Sequence, residues 1–259
     1  MTKRKKRKLI YGLVSAILTL IIIVCVLIIA NSLIADRKAQ NEVDRVYNII
    51  KETADESSGF TRESFNALLK ENKDFVGFMA WRTGIIEQPV LQAANNDYYL
   101  HRSFDGNYYE SGSIFMDSDS KLTDQNIIIY GHNNSYNYEI MFSHLNDMAL
   151  DQKYYEENGR FTVYYENEIR EYAICYIYYI NENQFEQYNF LQGNLESKEE
   201  FDEFMKFPAR NNLIDSIYGN IEYGNRFVTL QTCKRMNQDI KVVVLAKEVL
   251  VKEYSVTHH

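Results

Sequence analysis

Three cysteines and five histidines are the residues best suited to nucleophilic and acid–base chemistry in this 259-residue chain. Cys25 lies in a long apolar segment, and Cys175 lies in the strand-like run 169–180, where a thiol is expected to be inert packing. Cys233 differs. Thr229-Leu230-Gln231-Thr232 carries an apolar run into it, a polar loop follows, and Val242-Val243-Val244 leads away. A strand, a turn and a returning strand hold one thiol at a sheet edge, where its thiolate can act as a nucleophile.

A nucleophilic thiol needs a proton donor or base beside it. His258 and His259 end the chain, and His144 sits on an amphipathic helix, where a surface role is expected. His101 lies in Tyr98-Tyr99-Leu100-His101-Arg102, which reads as a strand. His132 follows Ile127-Ile128-Ile129-Tyr130-Gly131 and precedes Asn133-Asn134. A buried strand thus delivers this imidazole, through a glycine, into a polar loop, where a rigid sheet presents catalytic groups. No CxxC is present, so zinc ribbons and thioredoxin-like motifs are unsupported. A Cys175–Cys233 disulfide is formally possible, but an inert Cys175 is the preferred reading. Asp117-Ser118-Asp119-Ser120 lacks the glycine and terminal glutamate of a calcium loop and reads as a solvated turn. No residue pattern requires a metal or an organic cofactor.

The elements that must position these residues follow from charge and periodicity. Six of the 28 Lys and Arg residues form the basic run 3–8, and residues 37–259 then hold 22 basic against 35 acidic residues. An acidic body argues against nucleic-acid binding, which needs clustered cations. Residues 9–34 carry no charge, and as a helix they extend about 39 Å, enough to span a membrane. The basic run before them predicts a cytoplasmic N-terminus and an exported body. The segment is longer than the apolar region of a cleaved signal peptide, so a retained anchor is expected.

Residues 39–58 read as a helix with Val43, Val46, Tyr47 and Ile50 on one face, ended by Gly59. Thr61 caps a second helix to about Asn72, carrying Phe65, Leu68 and Leu69. From Phe75 the pattern changes to short strands: 75–81, 85–92, 98–104, 112–116 and 126–131. Residues 139–150 then show a helical stripe of Ile140, Phe142 and Leu145. Residues 161–165 and 169–180 form a hairpin around Glu166-Asn167. A long insertion follows, with a helix opened by the capping box Ser197-Lys198-Glu199-Glu200 and carrying Phe201, Phe204 and Met205. Residues 226–232 and 240–251 are the last two strands. Many short strands with inserted helices predict a mainly β fold, a closed or nearly closed barrel of one domain.

Phe75-Val76-Gly77, Asn96-Asp97-Tyr98-Tyr99-Leu100 and Gly112-Ser113-Ile114-Phe115-Met116-Asp117 add to Tyr130-Gly131-His132-Asn133 and Thr229-Leu230-Gln231-Thr232-Cys233. In this combination the chain resembles the class B sortases, membrane-anchored cysteine transpeptidases of Gram-positive bacteria, over nearly the whole body from about Phe75 to Lys247. The resemblance implies a sortase-like eight-stranded β-barrel with N-terminal helices and a helical insertion before the penultimate strand. It divides the chain into a basic tail (1–8), a transmembrane helix (9–34), a helical stalk or cap (35–73) and the catalytic barrel (74–259).

It further implies that Cys233 attacks the carbonyl after Thr in an NPxTx-like C-terminal sorting signal, giving a thioacyl-enzyme. His132 is then the general acid toward the leaving amine, and an amine of the peptidoglycan cross-bridge or stem peptide resolves the intermediate. Clients would be surface proteins bearing the signal, and some family members assemble pili. Asn96 and Leu100 match the segment lining the family's substrate groove. Tyr130 adjoins His132, and Gln231 fills the variable position of TLxTC; ordinary packing is an equal expectation for all four.

One position departs from the family pattern. The arginine that stabilises the oxyanion is replaced, on aligning Val242-Val243-Val244-Leu245-Ala246-Lys247, by Lys241, and the loop before it is shorter than usual. Lysine keeps the charge but lacks the planar fork. Lys241 serves as a point-charge partner, or Arg235 reaches in from the loop; strand geometry favours Lys241, and a solvated strand-end lysine is the bland reading. The missing arginine also motivates a catalytically weak or silent surface-binding module. A cysteine-dependent L,D-transpeptidase ranks low, because its His-Gly and Ser-x-Gly-Cys-x-Arg context is absent.

Overall fold

Val242-Val243-Val244-Leu245-Ala246 is apolar at every position, so a strand built on it must be covered on both faces. The computed structural model, which describes residues 3–54, 59–133, 141–185, 188–234 and 237–254, shows how. Eight strands close a barrel: β1 (Phe75–Trp81), β2 (Glu87–Leu91), β3 (Ile114–Met116), β4 (Asn126–Tyr130), β5 (Arg160–Tyr164), β6 (Ile169–Asn181), β7 (Phe227–Lys234) and β8 (Asn237–Lys252). Their order around the barrel is β1-β2-β3-β4-β7-β8-β6-β5. The β2/β3 and β4/β7 pairs are parallel and the others antiparallel.

Alternate residues serve different cores. Ile127, Ile129, Val228, Leu230, Val242, Val244 and Ala246 share one buried cluster with Phe142, Leu145 and Met148 of the helical segment that follows β4. On the opposite face of β6, β7 and β8, Tyr178, Ile180, Phe227, Val243 and Leu245 pack against Phe201, Phe204 and Met205. Those three belong to α5 (Lys198–Asn211), in the insertion before β7. Over β1, β2 and β3, Phe75, Phe78, Leu91 and Phe115 pack against Phe65 and Leu68 of α2 (Arg62–Glu71). The strands therefore read as continuous apolar runs rather than alternating ones.

The helix ends follow their caps. Thr61 accepts from the Ser64 amide, and Ser64 returns the bond to the Thr61 amide, a capping box at α2. At α5 the Ser197 hydroxyl accepts from the Glu200 amide, but Glu200 returns its bond to Glu196, one residue earlier than the expected box. Asn126 ties the insertion to the barrel: its amide nitrogen donates to the Gln192 carbonyl, and its oxygen accepts from Thr229.

Several expectations need correction. Residues 98–104 are not a strand: Tyr99–His101 form a 3-10 turn, because the chain doubles back so that Ser113 donates to the Tyr99 carbonyl. The helix expected over residues 39–58 is the end of a longer one, α1 (Lys3–Thr53), and its apolar face is rotated. Val46 is buried, with Ile49 and Ile50 against the same cluster, whereas Val43 and Tyr47 are exposed. The stripe expected over 139–150 is helical from Ser143 as α3 (Ser143–Leu150), and a second helix, α4 (Gln152–Asn158), follows behind an Asp151 cap; Ile140 lies outside the described residues. The turn Asp117–Ser120 is solvated only in part: Asp119 is exposed, whereas Asp117 and Ser120 are buried.

The chain forms two compact units, Met1–Arg45 and Val46–His259. Within the first, Ile10–Asn31 is helical, with mean hydropathy 3.3, long and apolar enough to cross a membrane.

Candidate active site

Two strand registers place the central residues. Strands β4 and β7 run parallel, with Ile128 opposite Thr229 and Tyr130 opposite Gln231. The ladder ends at that pair, where the Gly131 amide donates to the Gln231 carbonyl at 3.1 Å, and His132 and Cys233 each follow two residues later in their own chain. On the other side of β7, Cys233 pairs directly with Lys241 of β8. Directly opposed residues project to the same face. Cys233 and Lys241 thus share one face, with the Lys241 Nζ 3.6 Å from the Cys233 Sγ, and the Lys241 charge also acts on His132, two residues beyond the end of β4.

His132 is held by a chain of close backbone contacts. Its Nε2 bonds the Leu100 carbonyl at 2.9 Å. A carbonyl only accepts, so Nε2 carries the proton, and Nδ1 of the neutral ring holds the lone pair. Leu100 is brought in by Gly112, at φ +61°, where a Cβ would lie 2.3 Å from the Leu100 oxygen. Gly131 leaves room for Phe142, whose ring would be 2.7 Å from a Cβ there, and the Phe142 amide donates to the His132 carbonyl. The His101 ring stacks on His132 at 5.8 Å, and His101 Nδ1 bonds the Glu110 carbonyl. Burial pushes the His132 pKa below its ordinary value; the Leu100 bond opposes this, and the charges of His101 and Lys241 add to it.

The Cys233 carbonyl accepts two side-chain amides, from Asn133 at 3.0 Å and from Asn146 at 3.3 Å. Sequence reasoning missed both. Asn133 adjoins His132 in the polar loop, a signal that was available; Asn146 comes from α3, and only the tertiary fold brings it near.

The other expected site residues divide. Tyr130 donates to Asp117 Oδ2 at 2.7 Å and packs its ring on Phe115, and burial raises its pKa. Asn96 donates to the same carboxylate at 2.9 Å and accepts from the Ser118 amide. Both side chains therefore brace the start of the β3–β4 turn through Asp117. Leu100 contributes its carbonyl, and its side chain packs on the cluster over β1–β3. Gln231 offers its carbonyl to Gly131. Arg235 lies outside the described residues. Cys175 and Cys233 are both free, so no disulfide joins them, and the Cys175 thiol is buried, donates to the Ala173 carbonyl and has its pKa raised by burial. His144 is half-buried rather than superficial, with Nδ1 2.7 Å from the Tyr154 hydroxyl. Among the described residues no group of three His, Cys, Asp or Glu side chains could hold a metal ion.

A family profile described as a sortase domain matches residues 82–249. The chain belongs to the sortase family. It is 27% identical to sortase B of Staphylococcus aureus over 249 residues, 92% of this chain and 96% of that one. Among solved structures, sortase B of Clostridium perfringens superposes with a TM-score of 0.64 at 28% identity, covering 71% of this chain and 99% of that one. Sortase B of B. anthracis superposes with a TM-score of 0.69 at 25% identity, covering 83% of this chain and 98% of that one. These relatives set the chain in class B, and a sortase of this class is a transpeptidase. The sortase domain match contains His132, Cys233 and Lys241.

Proposed function

We propose that this sortase cleaves a C-terminal NPxTx-like sorting signal after its threonine and joins the surface protein to a peptidoglycan amine. The observation that carries the reading is the Cys233–Lys241 pair, with an ammonium 3.6 Å from the sulfur and its charge felt by His132. The Cys233 sulfur attacks the carbonyl carbon after threonine, and its proton passes to His132 Nδ1. Burial keeps that imidazole neutral near pH 7, so Nδ1 is free to accept. Lys241 places positive charge where the carbonyl oxygen becomes an oxyanion, the position at which charge stabilisation is worth most. The C–N bond then breaks, His132 returns the proton to the leaving amine, and a thioester remains on Cys233. An amine of the cell wall attacks this thioester, gives its proton to Nδ1, and the sulfur leaves and is reprotonated. The neutral ring is thus base first and acid second, which extends the expectation of a general acid alone.

The apolar helix Ile10–Asn31 and the basic residues before it support a single-span anchor with a cytoplasmic N-terminus and an exported barrel. The test is to incubate the soluble body with a panel of fluorogenic NPxTx-like peptides and a short amine acceptor. Release of the fluorophore and formation of the ligated product are expected. No cleavage of any peptide by folded protein overturns the reading.

A further inference from the structure

Two carboxamides converge on one backbone oxygen next to the nucleophile, from elements far apart in sequence. Asn133 Nδ2 reaches the Cys233 carbonyl at 3.0 Å from the loop after β4, and Asn146 Nδ2 reaches it at 3.3 Å from α3. Asn146 is buried, being 1% exposed, and the Asn133 Oδ1 is buried and accepts no bond among the described residues. Leaving that acceptor unmatched costs free energy, so the amide is turned to favour its donor.

Cys233 is where β7 needs such support. The β7/β8 register breaks between Cys233 and Lys234, so the regular ladder stops at the nucleophile. The donors are themselves fixed. Met141, at φ +55°, forms an isolated bridge with Asn133, and the Phe142 amide donates to the His132 carbonyl. This places the start of α3, and so Asn146, against the His132 loop.

We propose that Asn133 and Asn146 are positioning residues that clamp the Cys233 carbonyl and hold the thiol in register with His132. The proposal rests on Cys233 being the nucleophile. Each donor fixes the peptide plane that follows the Cys233 Cα, and Asn133 also links the nucleophile's strand directly to the residue after the base. A sub-ångström misplacement of a nucleophile lowers the rate of the chemical step more than it lowers substrate binding.

The variants are Asn146→Asp and Asn133→Asp, which keep size and replace the donor with an acceptor, together with Asn146→Ala and Asn133→Ala. Peptide cleavage is measured as kcat and KM, alongside the thermal midpoint and the rate of Cys233 alkylation by iodoacetamide at neutral pH. Folded variants are expected to lose tenfold or more in kcat with KM within twofold. They are also expected to alkylate at least threefold more slowly than the parent, because an unbonded or repelled carbonyl leaves more negative charge beside the reacting sulfur. Unchanged kcat in folded variants overturns the clamp. So does failure of all four to fold, which would make the carboxamides structural. A parent that cleaves no peptide refutes the transpeptidase reading instead, and alkylation alone then tests the clamp.

Discussion

The positive charge beside Cys233 comes from Lys241, its direct partner across the β7/β8 ladder. A compact ammonium can follow an oxyanion but cannot grip it bidentately. Lys241→Ala is therefore expected to lower kcat/KM by on the order of 10²–10³, while Lys241→Arg retains activity within about tenfold of the parent in this electrostatic account. Steady-state cleavage of a sorting peptide measures both. Loss of activity in Arg235→Ala with none in Lys241→Ala would move the role to the loop. His132 carries a second prediction. Its folded pKa is depressed, so it contributes stability fully present above its ordinary value of about 6.5 and lost as pH falls through the depressed value. Denaturant unfolding of the parent should weaken over that acidic range more than unfolding of His132→Gln. Cleavage should fall over the same range, as protonation fills the lone pair that the proposed mechanism uses as base.

The elements matter here for how closely they approach. Gly112 sits in the left-handed region with its missing Cβ 2.3 Å from the Leu100 oxygen, and that oxygen holds His132. Gly112→Ala is expected to cost about 1–3 kcal/mol in stability, from backbone strain and overlap. It should also reduce kcat in the protein that remains folded; a thermal midpoint and rate equal to the parent's would contradict this. Strand periodicity made β1 legible to the residue, and the TLQT run and the triple isoleucine made β7 and β4 legible within a residue or two. Residues 98–104 misled because Tyr98, Tyr99 and Leu100 are strand-forming types, while tertiary contacts with Gly112 and Ser113 impose the turn. Tyr130 and Asn96 were each expected near the site through the family resemblance, with packing an equal expectation, but not as supports of Asp117, since a shared carboxylate is a contact between distant residues. Asn146 left no local signature, because only packing of α3 brings it to Cys233.

At the scale of the molecule, the closed barrel sets β4, which leads into His132, beside β7 and β8, which carry Cys233 and Lys241, and helices cover its outer faces on two sides. The unit Val46–His259 carries all three buried clusters. A fragment beginning at Val46 is therefore expected to fold cooperatively and to cleave peptide at a rate within about threefold of the full chain in detergent, since each core keeps its covering elements. Thermal unfolding by circular dichroism and a cleavage assay check this; a molten or inactive fragment would contradict it. The barrel was legible because its strands are short, apolar and separated by Gly, Asn and Asp. Its closure and strand order depended on registers that no local pattern records. The central claim, that Cys233 forms a thioacyl bond with the sorting signal, is tested most directly by intact-mass spectrometry of the protein mixed with an NPxTx peptide without acceptor amine. The account predicts an adduct of the acyl fragment mapped to Cys233, absent in Cys233→Ala and retained in Cys175→Ala. An adduct that persists in Cys233→Ala, or cleavage that continues without Cys233, would contradict it.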